Sequence, residues 1–200
     1  MPDVLQGLGV SAGIAVGRVL RLEPDDSAVS PVAVPRARIE GEIERFHQAR
    51  ARASREIQEV KGRVLEELGE PFAGMMEAQI LILDDPGLVA ETVRRIRTES
   101  VTAGWALREA VEGYLRRFDT VSDGFFQEKG GDLSDVHRRL QRLLRGERED
   151  AGVALEGPVV VIARSLAPSD AVALARVGVV GLATDLGGRT SHTAILAQAL

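Results

Sequence analysis

Two consecutive stretches decide the fold: Val177-Gly-Val-Val-Gly-Leu-Ala183 and Asp185-Leu-Gly-Gly-Arg-Thr-Ser-His-Thr-Ala-Ile-Leu-Ala197. The first is a short apolar run and predicts a buried strand. The second opens with a Gly-Gly-Arg turn and continues as a helix with Ile195, Leu196 and Leu200 as its apolar positions. His192 therefore falls at a strand–loop–helix junction, close to a helix N-terminus. Unpaired backbone N–H groups and the positive end of the helix dipole favour an anion there. Thr190, Ser191 and Thr193 add hydroxyls, and Arg189 adds a planar cation suited to bidentate contacts. An imidazole in that setting is equipped to take a phosphoryl group as a nucleophile. A lone histidine near a helix start is ordinarily a cap, a surface residue or a satisfied core group, so the weight rests on the whole string.

Working outward, Pro158-Val-Val-Val-Ile-Ala163 predicts a second buried strand, and Pro168-Ser-Asp170 opens a helix to about Arg176. Strand, helix, strand, helix implies a parallel α/β unit, with its site at the carboxyl ends of the strands, where the 185–190 loop lies. At the other end, Leu5 to Leu22 is punctuated by Gly7, Gly9, Gly13 and Gly17 around Ile14-Ala-Val16 and Val19-Leu-Arg-Leu22. It predicts a two-stranded start to the sheet with glycines at turns. It lacks the order of a dinucleotide fingerprint.

Between these zones, residues 35–144 are helical in pattern. Pro35 opens a long helix whose apolar stripe is Ile39, Ile43, Phe46, Ala49, Ala53, Ile57, Val60 and Val64, ended by Gly69 and Pro71. A second helix covers Phe72 to Leu83, and Pro86 starts a third. A fourth carries Ala103, Leu107, Ala110, Tyr114 and Phe118 on one face. A fifth begins near Asp132 as N-cap and runs through Leu133, Val136, Leu140 and Leu144. Amphipathic helices with short connections predict a bundle. The charged stretch Arg145-Gly-Glu-Arg-Glu-Asp150 links it to the α/β unit.

A hydrophobic content of 44% suffices for a core in one or two domains. Cysteine is absent, so there is neither a disulfide framework nor a thiolate metal site, which fits a reducing cytoplasm. No signal-peptide pattern and no apolar run of about 18 residues is seen. A net charge of −5 argues against nucleic-acid binding and permits a basic protein partner.

The string Gly187-Gly-Arg-Thr-Ser-His-Thr-Ala-Ile-Leu-Ala197 resembles the phosphohistidine signature shared by enzyme I of the bacterial phosphoenolpyruvate:sugar phosphotransferase system, pyruvate phosphate dikinase and phosphoenolpyruvate synthase. Gly9-Val-Ser-Ala-Gly-Ile-Ala-Val-Gly17, Glu77-Ala-Gln-Ile-Leu-Ile-Leu-Asp-Asp-Pro-Gly-Leu88 and Leu166-Ala-Pro-Ser-Asp170 are similar to enzyme I in particular, so the resemblance spans nearly the whole chain. It implies a swivelling α/β phosphohistidine domain, residues 1–24 and 146–200. An all-α bundle, residues 25–145, is inserted in it and docks the histidine phosphocarrier protein HPr. It implies a phosphoenolpyruvate-protein phosphotransferase in which His192 carries phosphate between phosphoenolpyruvate and HPr. Arg189, Thr190, Ser191 and Thr193 would assist, and the Gly187–Gly188 backbone would bind phosphate. Thr190 is open to capping the helix instead, and Asp185 to orienting a residue or starting the turn.

The same resemblance implies carrier contacts at Glu70, Leu81, Ile82, Asp84, Asp85, Leu88 and Lys129. The acidic group Glu66, Glu67, Glu70, Asp84 and Asp85 is ordinarily a solvated face, with steering of a basic carrier as the lesser reading, and Leu81, Ile82 and Leu88 read otherwise as bundle core. His47 and His137 are expected on the surface. Where the family often has histidine, arginine and threonine, this chain has Gln79, Gln198 and Ala171, and a basic pattern is replaced by Glu128-Lys-Gly-Gly-Asp132.

Leu200 stops the sequence inside the histidine helix, so the α/β part is expected to be incomplete. No metal cluster is recognisable. Magnesium and productive phosphoenolpyruvate binding belong, in the family, to a C-terminal barrel beyond this sequence, as does dimerisation. Two rival readings are a dikinase-type phosphohistidine domain and a non-catalytic carrier-docking module.

Overall fold

The computed structural model describes residues 5–22, 31–119, 124–147, 157–189 and 191–200, without the side chains of 117–119 and 124–129. The chain divides into two compact units: Met1–Pro24 with Asp150–Leu200, and Asp25–Glu149. Among the described residues, no helix is long and apolar enough to cross a membrane.

The second unit is helical. A short 3-10 turn, Arg36–Arg38, leads from Pro35 into α1, Ile39–Leu68. The apolar stripe of α1 is its buried face: Ile43, Phe46, Ala49, Ala53, Ile57, Val60 and Val64 are all core, with Ala53 and Ile57 fully enclosed. Gly69 stops the helix at φ 91°, a conformation that suits glycine, and its N–H returns to the Val64 and Leu65 carbonyls. The predicted second helix is broken in three: α2 (Glu70–Ala73), a 3-10 turn at Gly74–Met76 that buries Met76, and α3 (Glu77–Leu83). Next come α4 (Pro86–Glu99), α5 (Ala103–Asp119) and α6 (Gly124–Leu144).

One boundary differs from the sequence reading. Asp132 does not cap α6. It lies inside the helix and is buried, because α6 continues through Gly130-Gly131. Packing against α5 and α1 overrides the local weakness of the glycines. Leu133, Val136 and Leu140 of α6 close the core with Ala106, Leu107, Ala110 and Val111 of α5. Glu56 of α1 receives Arg139 at 3.0 Å and Arg142 at 2.7 Å from α6, with Arg52 at 3.2 Å from its own helix. That charge is mostly shielded from water, so losing it would remove a shared partner of two arginines.

In the first unit, β1 (Arg18–Leu22), β2 (Val159–Ala163) and β3 (Val179–Thr184) form a parallel sheet in the order β1-β2-β3. α7 (Pro168–Arg176) and α8 (His192–Ala199) complete the α/β pattern. Val159, Val161 and Ala163 of the central strand are buried.

Two expectations are corrected here. Residues 5–17 contribute no strand: Ile14 and Val16 are 96% and 80% exposed, with no ladder partner among the described residues. β3 is not fully buried either. It is an edge strand in the described sheet, and Val180 is 49% exposed. Gly17 is required by close approach: a β-carbon there would stand 2.5 Å from the Pro158 carbonyl oxygen, which accepts the Arg18 N–H.

Candidate active site

The loop 185–191 is built on the ends of β2 and β3. The Asp185 and Leu186 N–H groups donate to the carbonyls of Ala163 and Arg164, and the Thr184 hydroxyl donates to the Leu186 carbonyl. Asp185 thus takes the turn-forming position. Gly187 stands at φ 111°, and the Ser191 N–H returns to the Gly188 carbonyl. Gly187 is therefore explained by turn geometry, whereas a β-carbon at Gly188 would meet nothing within 4 Å.

Ser191 caps α8: its Oγ accepts the Ala194 N–H at 3.2 Å. His192 is the first helical residue, half-buried. The Thr193 hydroxyl donates to the Leu166 carbonyl at 2.6 Å, tying α8 to the segment before α7. In this arrangement the Thr193 hydroxyl proton is engaged by the Leu166 carbonyl. Arg189 is exposed, and its Nε donates to the Gly9 carbonyl at 3.1 Å. Thr190 lies outside the described residues.

Gln198, on the same helix, donates from Nε2 to the Val10 carbonyl at 2.8 Å. The Gly9–Val10 backbone is thus held beside α8 at two points. Ala171, buried on α7 against α8, supplies no hydroxyl. The contacts of Arg189 and Gln198 pair residues about 180 positions apart and have no local signature.

The expected carrier contacts separate in space. Leu81 is 72% exposed on α3, Ile82 is half-buried, and Glu66, Glu67, Glu70 and Asp84 are exposed. Leu88, by contrast, is 4% exposed and belongs to the bundle core, so it is no surface contact. Asp85 serves α4 as N-cap, accepting the Leu88 N–H at 2.6 Å and the Tyr114 hydroxyl at 3.3 Å. The side chain of Lys129 lies outside the described residues. Gln79 is buried, and its Nε2 has no hydrogen-bond partner.

The three histidines differ sharply. His47 is exposed against Phe46 and Arg50. His137 is half-buried, where the sequence reading expected a surface position. Burial pushes its pKa down to about 4, aided by the nearby Arg108 and Arg138 charges and opposed by Glu112. Its Nε2 faces the Gln141 amide at 3.0 Å, and that amide also donates to the Gly104 carbonyl. His192 is the histidine that stands at a helix start.

Among the described residues, no group of three or more histidine and carboxylate side chains is placed to hold a metal.

Comparison with known proteins gives a consistent set of similarities. Residues 6–129 match the family described as PEP-utilising enzyme, N-terminal, and residues 155–200 match PEP-utilising enzyme, mobile domain. Proteins named phosphoenolpyruvate-protein phosphotransferase from Bacillus sp. (strain S) and Bacillus subtilis (strain 168) are 38% and 36% identical over 196 residues. Each alignment covers 98% of this chain but 34% of the relative, so the chain spans about a third of their length. A solution structure of Enzyme I matches with a TM-score of 0.74 at 34% identity, covering 98% of this chain and 79% of that one. The N-terminal domain of a nitrogen-type Enzyme 1 matches in fold, with a TM-score of 0.66 at 22% identity.

Proposed function

The chain belongs to the PEP-utilising enzymes, as an N-terminal region of enzyme I, and on that premise we propose that His192 is its phosphoacceptor and HPr its carrier. The observation that carries this reading is the position of His192. It is the first residue of a capped helix, half-buried, directly after a glycine turn at the ends of two parallel strands. The N–H groups of the first helical turn and the helix dipole offer a place for the phosphoryl oxygens.

In the step proposed, the lone pair of one neutral ring nitrogen of His192 attacks phosphorus in line. The P–N bond to the carrier's phosphohistidine breaks, and that imidazole leaves with the bonding pair. The second ring nitrogen of His192 keeps its proton. Arg189 holds the Gly9 carbonyl through Nε, and its remaining guanidinium N–H groups are the donors proposed to assist the phosphoryl oxygens. In the family reaction, phosphoenolpyruvate is the donor and HPr the acceptor.

The helical unit is the proposed dock, through Leu81, Ile82 and the exposed carboxylates Glu70 and Asp84. An apolar projection beside acidic groups suits a carrier with a basic rim around an apolar patch. The test is incubation of the full chain with phospho-HPr. Wild type should take up phosphate, and His192→Ala should take up none while still binding HPr. Asp84→Lys should slow association most at low ionic strength. A chain that binds HPr but never acquires phosphate would favour the docking-only reading.

A further inference from the structure

We infer that Arg50 of α1 and Tyr114 of α5 hold the α3–α4 corner, residues 81–88, in a preset conformation and so set its affinity for the carrier. This rests on the docking reading above and assigns two positioning residues outside the contact surface.

The last carbonyls of a helix have no partner within it. At the end of α3, the Leu83 carbonyl is taken by a single guanidinium: Arg50 donates to it from Nε at 2.9 Å and from Nη2 at 2.7 Å. The same Nη2 reaches Asp84 Oδ1 at 3.3 Å. Arg50 is itself restrained, lying over the Phe46 ring at 5.9 Å.

One residue on, Asp85 Oδ1 accepts both the Leu88 N–H and the Tyr114 hydroxyl. Gly87 leaves no slack on that side. A β-carbon there would meet the Tyr114 oxygen at 2.5 Å and Asp85 Oδ1 at 3.2 Å. Leu83 and Leu88, 2% and 4% exposed, anchor both ends in the core. The corner is thus fixed from α1 on one side and from α5 on the other, while Leu81 and Asp84 project from it.

A scattered exposed leucine needs no explanation. This one stands on a corner fixed by the side chains of Arg50, Asp85 and Tyr114. Fixing it before binding removes the ordering cost that a loose corner would impose on association. Arg50 suits the task because its planar fork makes two bonds to one carbonyl. A lysine at the same place offers a point charge without that geometry.

The experiment compares the full chain with Arg50→Gln, Arg50→Lys and Tyr114→Phe. Ile96→Val serves as a control that loosens the buried side of α4 without touching the corner. Two readouts are taken: amide exchange at Asp84, Asp85 and Leu88, whose N–H groups bond Ile80, Ile82 and Asp85, and the KM and kcat for phospho-HPr. Arg50→Gln should raise exchange at these amides about tenfold and raise KM about tenfold with kcat unchanged. Arg50→Lys should recover little of either. Tyr114→Phe should give a smaller rise confined to Leu88. Ile96→Val should leave KM unchanged even though it lowers the melting temperature.

The inference is overturned if Arg50→Gln leaves the corner amides protected, if it frees them with KM unmoved, or if Ile96→Val raises KM as much. A wild-type chain that does not bind HPr at all overturns the docking reading instead, and the exchange data then stand apart from it.

Discussion

The Thr193 hydroxyl donates to the Leu166 carbonyl at 2.6 Å, so the residue after His192 is fastened to the segment that opens α7. Thr193→Val keeps the shape and removes the donor. It should destabilise the α/β unit by about 1–2 kcal/mol, because the part-buried carbonyl loses its partner. Phosphate uptake should slow as the start of α8 loosens. Thr193→Ser should retain both properties. Thermal denaturation and initial labelling rates check this; a valine variant with unchanged stability would contradict it.

Ser191 separates capping from chemistry. Ser191→Ala removes the bond to the Ala194 N–H and should cost about 1 kcal/mol. Ser191→Asp restores a cap of equal or better quality but puts an anion beside the incoming phosphoryl group. It should regain the melting temperature and still be labelled more slowly than Ser191→Ala. Equal labelling of the two variants would mean that phosphate does not approach this end of α8.

Gly17 and Gly62 make a matched pair. A β-carbon at Gly17 meets backbone atoms of Pro158 and Val159 at 2.5–3.0 Å, whereas one at Gly62, exposed on α1, meets nothing within 4 Å. Gly17→Ala should lower stability by about 1–3 kcal/mol through overpacking. Gly62→Ala should raise it by up to about 1 kcal/mol through helix propensity. Chemical denaturation reads both, and opposite signs are required.

Acid should unfold the helical unit early. His137 has its folded pKa lowered to about 4, while an unfolded histidine titrates near 6.5. Between those values the unfolded chain binds more protons, so stability falls as pH drops through that window, by on the order of 2–3 kcal/mol. Glu112, whose pKa is held down by its bond to Arg108, adds to the loss at lower pH. His137→Gln should flatten the stability curve between about pH 6.5 and 4. A variant as acid-sensitive as wild type would contradict the assignment.

What the sequence made legible was local. The apolar stripe of α1 repeats along one helix and is the buried face. Pro86 and Pro168 mark helix starts because a ring without an N–H fits the first turn. The strand, glycine turn and helix around His192 follow one another in sequence, so one motif carries them. What was not legible depended on partners far along the chain. Arg50 finds the Leu83 carbonyl 33 residues away, and Arg189 finds Gly9. Asp132 suggested a cap where the helix in fact continues through Gly130-Gly131. Ile14-Ala-Val16 has strand composition, yet β1 begins only at Arg18, where Gly17 lets the backbone close on Pro158. Leu88 sits in a stretch that resembles a docking segment, and only tertiary burial reveals it as core.

The most direct test of the central claim is to locate the phosphate. The full chain is labelled by phospho-HPr, digested under alkaline conditions, which preserve a phosphoramidate, and mapped by mass spectrometry. A single acid-labile, base-stable adduct is expected on His192, absent from His192→Gln. Phosphate on His47, His137 or a hydroxyl residue, or label persisting in His192→Gln, would contradict it.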